Sequence, residues 1–261
     1  QILLKEESYI DKVTDIAGGS YYIETLTDSF AVQAWKLFLE TEEKGGFLAA
    51  LREGFIQKQV KDMAARRDQN MALRRENLLG INQFPNFTEF LKEEIPAEAF
   101  LPLDLTVENA EVETLKPYRA GQSFEALRYK TDRYALHHKR PAAFMLTMGN
   151  LAMRKARAQF SCNFFAVAGF EVIDNNGFDT VEEGLVAARE ANSDFVVVCS
   201  SDEEYAEIVP QLLPLLKNEI LVVAGNPACR ADLEALGVKH FIHVRSNLLQ
   251  ELTNFQKDIL K

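Results

Sequence analysis

Histidine is scarce in this chain. It has four in 261 residues, and none from Lys139 to Lys239. Over that stretch no imidazole is available as a base, a proton shuttle or a metal ligand. The three cysteines, Cys162, Cys199 and Cys229, are an odd number without metal-type spacing. That fits a reducing, cytoplasmic setting, with each thiol a small buried apolar group. Long apolar runs are missing too: none approaches the roughly 20 residues of a membrane helix. The opening Gln1-Ile-Leu-Leu-Lys-Glu-Glu7 is too short and too charged for a secretory signal. Positive charge is outweighed, with a net charge of −10. Nucleic acid and anionic membrane are therefore poor candidates as main partners.

What is present reads as an ordinary globular protein of one or two domains, 47% hydrophobic and 26% charged. The chain opens without Met, inside a helical pattern, and is expected to be a fragment of something longer.

Residues 1–80 read as mainly helical. Ala17-Gly18-Gly19-Ser20 is a turn, and Tyr21-Tyr22-Ile23-Glu24 an expected short strand or extended piece. Asp28 is placed to cap a helix whose Ala31, Ala34, Trp35 and Phe38 share a face, ended by Gly45-Gly46. A second helix carries Leu48, Leu51, Phe55 and Met63 inward and extends towards Glu76. Arg66, Arg67, Arg74 and Arg75 offer a phosphate-binding cluster or, in the preferred reading, a solvated helix face paired with Asp62, Asp68 and Glu76. Residues 81–121 read as linker, interrupted by Pro85, Pro96, Pro102 and Pro117, with one short helix from Asn86 to Glu94.

Residues 122–261 are the clearest domain. Ser123 is placed to cap a helix through His138. Strands are expected at 142–148, 171–173, 195–199, 220–224 and 240–244. Helices are expected at 151–168, 180–192, 202–217, 228–236 and 246–260. Thr180-Val-Glu-Glu183 reads as a capping box and Gly237 as a helix C′ residue. Alternation of this kind implies an α/β fold, a parallel sheet covered on both faces. The flavodoxin-like strand order 2-1-3-4-5 fits it. Its ligand crevice lies beyond the carboxyl ends of the first and third strands.

Those ends are Met148-Gly149 and Cys199-Ser200-Ser201, with Ala224-Gly225 beside them. The first turn has no histidine, no carboxylate and no second glycine. It matches neither a dinucleotide nor a P-loop fingerprint. Asp202, Glu203 and Glu204 read as a solvated helix N-terminus. Ser200 would be a nucleophile only with a base nearby. His240 and His243 fall on opposite faces of the fifth strand, as rim residues without chemistry. A flavin site has nothing specific in its favour.

Several runs carry a resemblance. Asp15-Ile-Ala-Gly-Gly-Ser-Tyr-Tyr-Ile-Glu24, Lys44-Gly-Gly46, Leu79-Gly-Ile-Asn-Gln-Phe-Pro85 and Phe124-Glu-Ala-Leu127 resemble the methylmalonyl-CoA mutases. The likeness extends over essentially the whole chain. It implies that residues 1–80 are the last helical part of a truncated (β/α)8 (TIM) barrel, which when whole needs ~250 residues. It implies that 122–261 is a cobalamin-binding-like domain.

In catalytic members the turn after the first strand of that domain reads Lys-x-x-x-Asp-x-His-x-x-Gly. The imidazole coordinates cobalt, the carboxylate orients it, and the glycine makes room for the nucleotide tail. Anchored on Met148-Gly149, this chain places Thr147, Leu151, Met153 and Ala156 at those four positions. A register shifted by one places Arg154 at the histidine. Neither restores a ligand, and Leu151 and Met153 are expected to pack.

The chain thus resembles most the small, non-catalytic member of heterodimeric mutases. That implies a large subunit as partner, which carries adenosylcobalamin. No catalytic, metal or cofactor-binding residue is expected here, and Met148, Gly149, Leu151, Met153, Ser200, Ser201 and Gly225 would line a vestigial cleft. The alternatives are a cobalamin-binding isomerase chain with an atypical site, and a stand-alone flavodoxin-like ligand-binding or regulatory module.

Overall fold

The runs Phe195-Val-Val-Val-Cys199 and Ile220-Leu-Val-Val-Ala224 have no polar residue to offer solvent, so each must be covered on both faces. In a computed structural model of the chain they are central strands of a parallel sheet. Residues 1–105 and 108–260 are described. Positions 106 and 107, within the expected linker, and 261, the end of the expected last domain, lie outside the described residues.

Two short helical turns, Leu3–Glu7 and Ile10–Lys12, precede three α-helices: α1 (Tyr21–Glu43), α2 (Phe47–Arg52) and α3 (Phe55–Ala72). After an irregular stretch follow α4 (Gln122–Tyr134), β1 (Ala142–Thr147), α5 (Leu151–Val167), β2 (Glu171–Ile173) and α6 (Val181–Glu190). Then come β3 (Phe195–Cys199), α7 (Tyr205–Leu212), β4 (Ile220–Ala224), α8 (Arg230–Ala235), β5 (His240–Ile242) and α9 (Leu248–Ile259). The strand order is β2-β1-β3-β4-β5, all parallel, an α/β fold of flavodoxin-like order.

Alternation along the strands divides the core in two. Met145, Phe195, Val197 and Val222 face Phe165 of α5 and Phe255 of α9. Phe144, Leu146, Val196, Val198 and Val223 face Leu185 of α6 and Val209 of α7. Each such side chain, once buried, stabilises the fold by about 1.5–3 kcal/mol. Phe165, Phe195 and Phe255 touch one another, with ring centroids 5.1–5.4 Å apart. Thr180 caps α6, its hydroxyl accepting from Glu183 N at 3.3 Å, and Gly237 turns the chain at φ +105°.

The chain divides into two compact units. One holds α1, α2, the start of α3 and a stretch around Glu113. Tyr21–Glu24 is helical there, not a strand, and Asp28 lies inside α1 rather than capping it. Aromatic strand propensity over four residues loses to the cooperativity of a long helix. The expected second helix breaks at Gly54 (φ +79°), and α3 stops at Ala72. Leu48 and Met63 are exposed, while Leu51 and Phe55 are half-buried. Gln57 is buried instead, donating to Leu51 O at 2.9 Å and Glu113 O at 3.1 Å.

The other unit carries the sheet and the stretch before it. Asn86–Glu94 is not helical; a single 3-10 turn forms at Ala97–Phe100. This stretch is held along α4: Arg128 donates to Asn86 O (2.7 Å) and Glu89 O (2.9 Å), and Leu91 N donates to Asp132 (3.2 Å). Ser123 is not the cap of α4; Gly121 is, so the helix begins two residues earlier than expected, and it ends at Tyr134. Among the described residues no helix is long and apolar enough to cross a membrane.

Candidate functional site: the turn after β1

β1 ends at Thr147 and α5 begins at Leu151, so the turn is Met148-Gly149-Asn150. Asn150 caps α5, its side chain accepting from Met153 N at 3.1 Å. Gly149 has φ +67°, a left-handed conformation that favours glycine. The turn brings no carboxylate of its own, yet the fold supplies one from the end of β3.

That carboxylate is Glu204. It accepts from Asn150 N at 3.2 Å, from Ser201 N at 3.1 Å and from the Ser201 hydroxyl at 2.9 Å. The Ser200 hydroxyl donates to it as well, and lies 3.0 Å from Met148 O. The Ser200 hydrogen bond, helped by the Ser201 and Asn150 amides and the Ser201 hydroxyl, holds the Glu204 pKa down at about 2. The carboxylate stands where a Cβ on Gly149 would sit. Its side chain thus fills the mouth of the crevice between β1 and β3. It is no general base at neutral pH, because its bonds favour the charged form so strongly.

Folding Glu204 back also explains where α7 starts. The expected helix at 202 begins only at Tyr205, and Ser201–Glu204 form a hydrogen-bonded turn, Glu204 N to Ser201 O at 3.2 Å. Glu203 alone is exposed as foreseen. Asp202 pairs with Arg157 of α5 at 2.8 Å. That pair and the Tyr205 ring lie against Gly225, whose Cβ position is 3.1 Å from Asp202, 3.2 Å from Tyr205 and 3.5 Å from Arg157.

Tyr205 was not singled out by sequence, yet it ties the two sides together. Its hydroxyl donates to Ala224 O at 2.6 Å and accepts from Ser200 N at 3.1 Å. It is fully buried, and burial pushes its pKa up. An aromatic residue six positions past a buried strand's last apolar residue was the available signal.

Met148, Gly149, Ser200 and Ser201 are thus gathered around one carboxylate, with Gly225 alongside. Leu151 and Met153 are not part of this cluster. They are 55% and 37% exposed at the start of α5, not packed as expected. Arg154 crosses to the next loop, donating to Asn176 O at 2.9 Å and lying against Gly177. Ser200 is buried and bonded, with no imidazole beside it. His240 packs edge-on to Phe255 at 5.1 Å, and His243 lies just beyond β5 rather than on it.

A groove of about 320 Å³ opens beside the turn, and Asp179, Glu182, Glu204 and Glu207 line it. Four carboxylates make it unfavourable for an anion. Among the described residues no cluster of His, Cys, Asp and Glu is arranged to hold a metal ion. The buried thiols of Cys162 and Cys199 are inert: burial raises both, Cys162 to about 12.

Comparison with known proteins bears on the whole chain. The family described as methylmalonyl-CoA mutase matches residues 1–160. The methylmalonyl-CoA mutase small subunit of Porphyromonas gingivalis is 51% identical over 256 residues, covering 98% of this chain and 41% of that protein. The probable methylmalonyl-CoA mutase small subunit of Mycobacterium tuberculosis is 33% identical over 97% of this chain and 39% of that one. The mitochondrial methylmalonyl-CoA mutase of Mus musculus is 34% identical over 47% of this chain. The chain therefore spans about two fifths of the two small subunits it matches. A match that runs through both units of the structure, at half identity, places the chain in the methylmalonyl-CoA mutase family.

Proposed function

We propose that this chain is part of the small subunit of a heterodimeric methylmalonyl-CoA mutase and acts structurally, without binding adenosylcobalamin. The large subunit, its partner in the cytoplasm, would hold the cofactor and interconvert methylmalonyl-CoA and succinyl-CoA. Within this reading residues 1–80 are the end of a barrel domain, 81–121 a linker, and 122–261 a cobalamin-binding-like domain with a vestigial cleft.

One observation carries the proposal: the turn after β1 is closed by a side chain from the turn after β3, that of Glu204. Cobalamin bound by this fold needs an imidazole under cobalt and room for a nucleotide tail. Met153 or Arg154 stands where the imidazole would be. Glu204 takes the space at Gly149, and Arg157, Asp202 and Tyr205 take the space at Gly225. The tail carries a phosphodiester, which the carboxylates lining the groove repel. The residues present do not fit the cofactor. The names of two of the three relatives, both small subunits, support the same reading.

Titration of the purified chain with adenosylcobalamin, followed by visible spectroscopy and calorimetry, tests it. The expected result is no spectral change and no saturable heat. Micromolar binding would overturn the proposal in favour of an atypical cobalamin-binding chain. Failure of the chain to co-purify with a large mutase subunit expressed beside it would count against the structural role.

A further inference from the structure

A cavity of about 530 Å³ opens beside the carboxyl ends of β1 and β2, within the unit that carries the sheet. That size suits a small molecule, whose pockets run to roughly 300–1,000 Å³. The lining comes from α5, from the turn after β2 and from the end of β1, and three of its side chains are charged: Arg154, Lys155 and Asp174. Ala158, Cys162 and Val172 supply an apolar wall. Phe87, from the stretch before α4, lines the cavity as well and is 46% exposed. That stretch is tied to α5 by Phe84 N, which donates to Asn163 Oδ1 at 3.0 Å.

Other arginines of this unit meet a counter-group directly. Arg119, Arg140, Arg157 and Arg189 each pair with a carboxylate. Arg74, expected on a solvated face, lies over the rings of Phe160 and Phe164, at 4.6 and 5.4 Å. The cavity is different. Among the described residues Arg154 and Lys155 have no carboxylate partner and Asp174 has no cation, although all three line one space. Asp174 accepts from Asn175 N at 2.8 Å, which leaves its other lone pairs open. Arg154 is nonetheless fixed. Its Nη1 donates to Gly149 O at 3.4 Å and its Nη2 to Asn176 O at 2.9 Å. Gly177, at φ +112°, makes room for it: a Cβ there would lie 2.6 Å from the guanidinium carbon. The turns after β1 and β2 thus hold the guanidinium at both ends, and each Nη keeps a second proton to donate. Thr147 and Asn175 bond to one another and to Met145 O, so they serve as a rigid wall.

Charges of both signs held apart in one cavity select against a ligand of one sign. A simple anion would face Asp174, and a simple cation would face Arg154 and Lys155. We propose that this cavity binds a free α-amino acid with an apolar side chain. Its carboxylate rests on Arg154 and Lys155, its ammonium on Asp174, and its side chain against Ala158, Val172 and Phe87. A fixed guanidinium suits a carboxylate, and an ammonium with three donors suits an open carboxylate. The acid-lined groove at Gly149 shares no residue with this cavity. The site does not depend on the mutase-subunit reading, since nothing in it invokes cobalamin or a second chain.

The test is NMR titration of the 15N-labelled chain at neutral pH and constant ionic strength. The probes are phenylalanine and leucine, with phenylalaninamide, which lacks the carboxylate, and 3-phenylpropanoate, which lacks the amine. Saturable shifts are expected at the amides of Lys155, Asn175 and Asn176, with those of Thr180 and Glu207 in the acid-lined groove unmoved. Response to either amino acid supports the site, and comparing the two sizes the apolar wall. Phenylalanine should bind about tenfold or more tighter than either analogue, since each lacks one charge-assisted contact. Asp174→Asn should erase the preference for phenylalanine over 3-phenylpropanoate. Lys155→Gln should weaken phenylalanine and 3-phenylpropanoate but not phenylalaninamide. Both positions are exposed, so the fold should tolerate these changes, and if a variant misfolds the analogue series on the unmodified chain decides. No saturable shift at millimolar amino acid, equal affinity for the two analogues and phenylalanine, equal shifts in the acid-lined groove, or an unchanged preference in folded Asp174→Asn would each overturn the proposal.

Discussion

The carboxylate of Glu204 stands in the space that a Cβ on Gly149 would occupy. The two residues belong to turns after different strands, and neighbouring strand ends bring them together. The glycine needs its left-handed backbone (φ +67°), and its missing side chain leaves the carboxylate room to accept from Asn150 N. Substitution at Gly149 therefore meets two separate obstacles. Gly149→Ala should destabilise the chain by roughly 2 kcal/mol or more, part from the left-handed conformation and part from the displaced Glu204. Adding Glu204→Ala should recover the steric part only. Denaturant unfolding of the single and double variants checks this; strictly additive losses would mean that the residues do not share the space.

The same carboxylate should give stability a pH signature. Its pKa is lowered from 4.5 to about 2 in the folded chain. A depressed carboxyl contributes stability that is fully present above the unfolded value and lost as pH falls towards the folded one. The stability gap between the chain and Glu204→Gln should therefore be constant above about pH 5 and shrink between about pH 4.5 and pH 2. Urea midpoints across that range measure it. A gap independent of pH would refute the assignment.

Asp132 and Arg140 form a largely buried ion pair behind α4, and the aspartate also receives Leu91 N. Burial raises the pKa of Asp132 and lowers that of Arg140, so the pair is worth little beyond its own desolvation. Removing one member is another matter. Asp132→Ala strands a half-buried guanidinium and should cost about 3–5 kcal/mol. It should also speed hydrogen exchange at the Leu91 amide, since that bond ties the stretch before α4 to the helix. Unchanged exchange at Leu91 would show that the stretch is held elsewhere.

Trp35 and Phe38 stack on one another at 5.2 Å on α1 while 62% and 50% exposed. No residue of α1 is buried. An apolar face of this kind favours self-association in water. Light scattering should show mass rising with concentration, and Phe38→Glu should suppress the rise. A clean monomer at high concentration would contradict the expectation.

The sheet was legible because its signal is local. Uninterrupted apolar runs, each followed by an amphipathic helix, specify a buried parallel strand wherever they occur, and Thr180 and Gly237 mark helix ends by their own chemistry. The helical N-terminal part was less legible. Tyr21–Glu24 reads as strand by propensity but is captured by α1, and Gly54 interrupts what apolar spacing alone would join. At the candidate site, Met148, Gly149, Ser200, Ser201 and Gly225 were found by strand ends. Leu151 and Met153 were expected to pack because they are apolar, but both are left exposed in the first turn of α5.

Sequence by itself determined the α/β order, the strand succession and the lack of an imidazole in the turn after β1, since each is a property of neighbouring residues. Only tertiary structure decided what the turn has instead. Glu204 fills it, Arg157 and Asp202 sit over Gly225, and Arg74 leaves solvent for the rings of Phe160 and Phe164. Each of these contacts joins residues far apart in the chain, and a side chain's charge or polarity does not say which distant group it will meet.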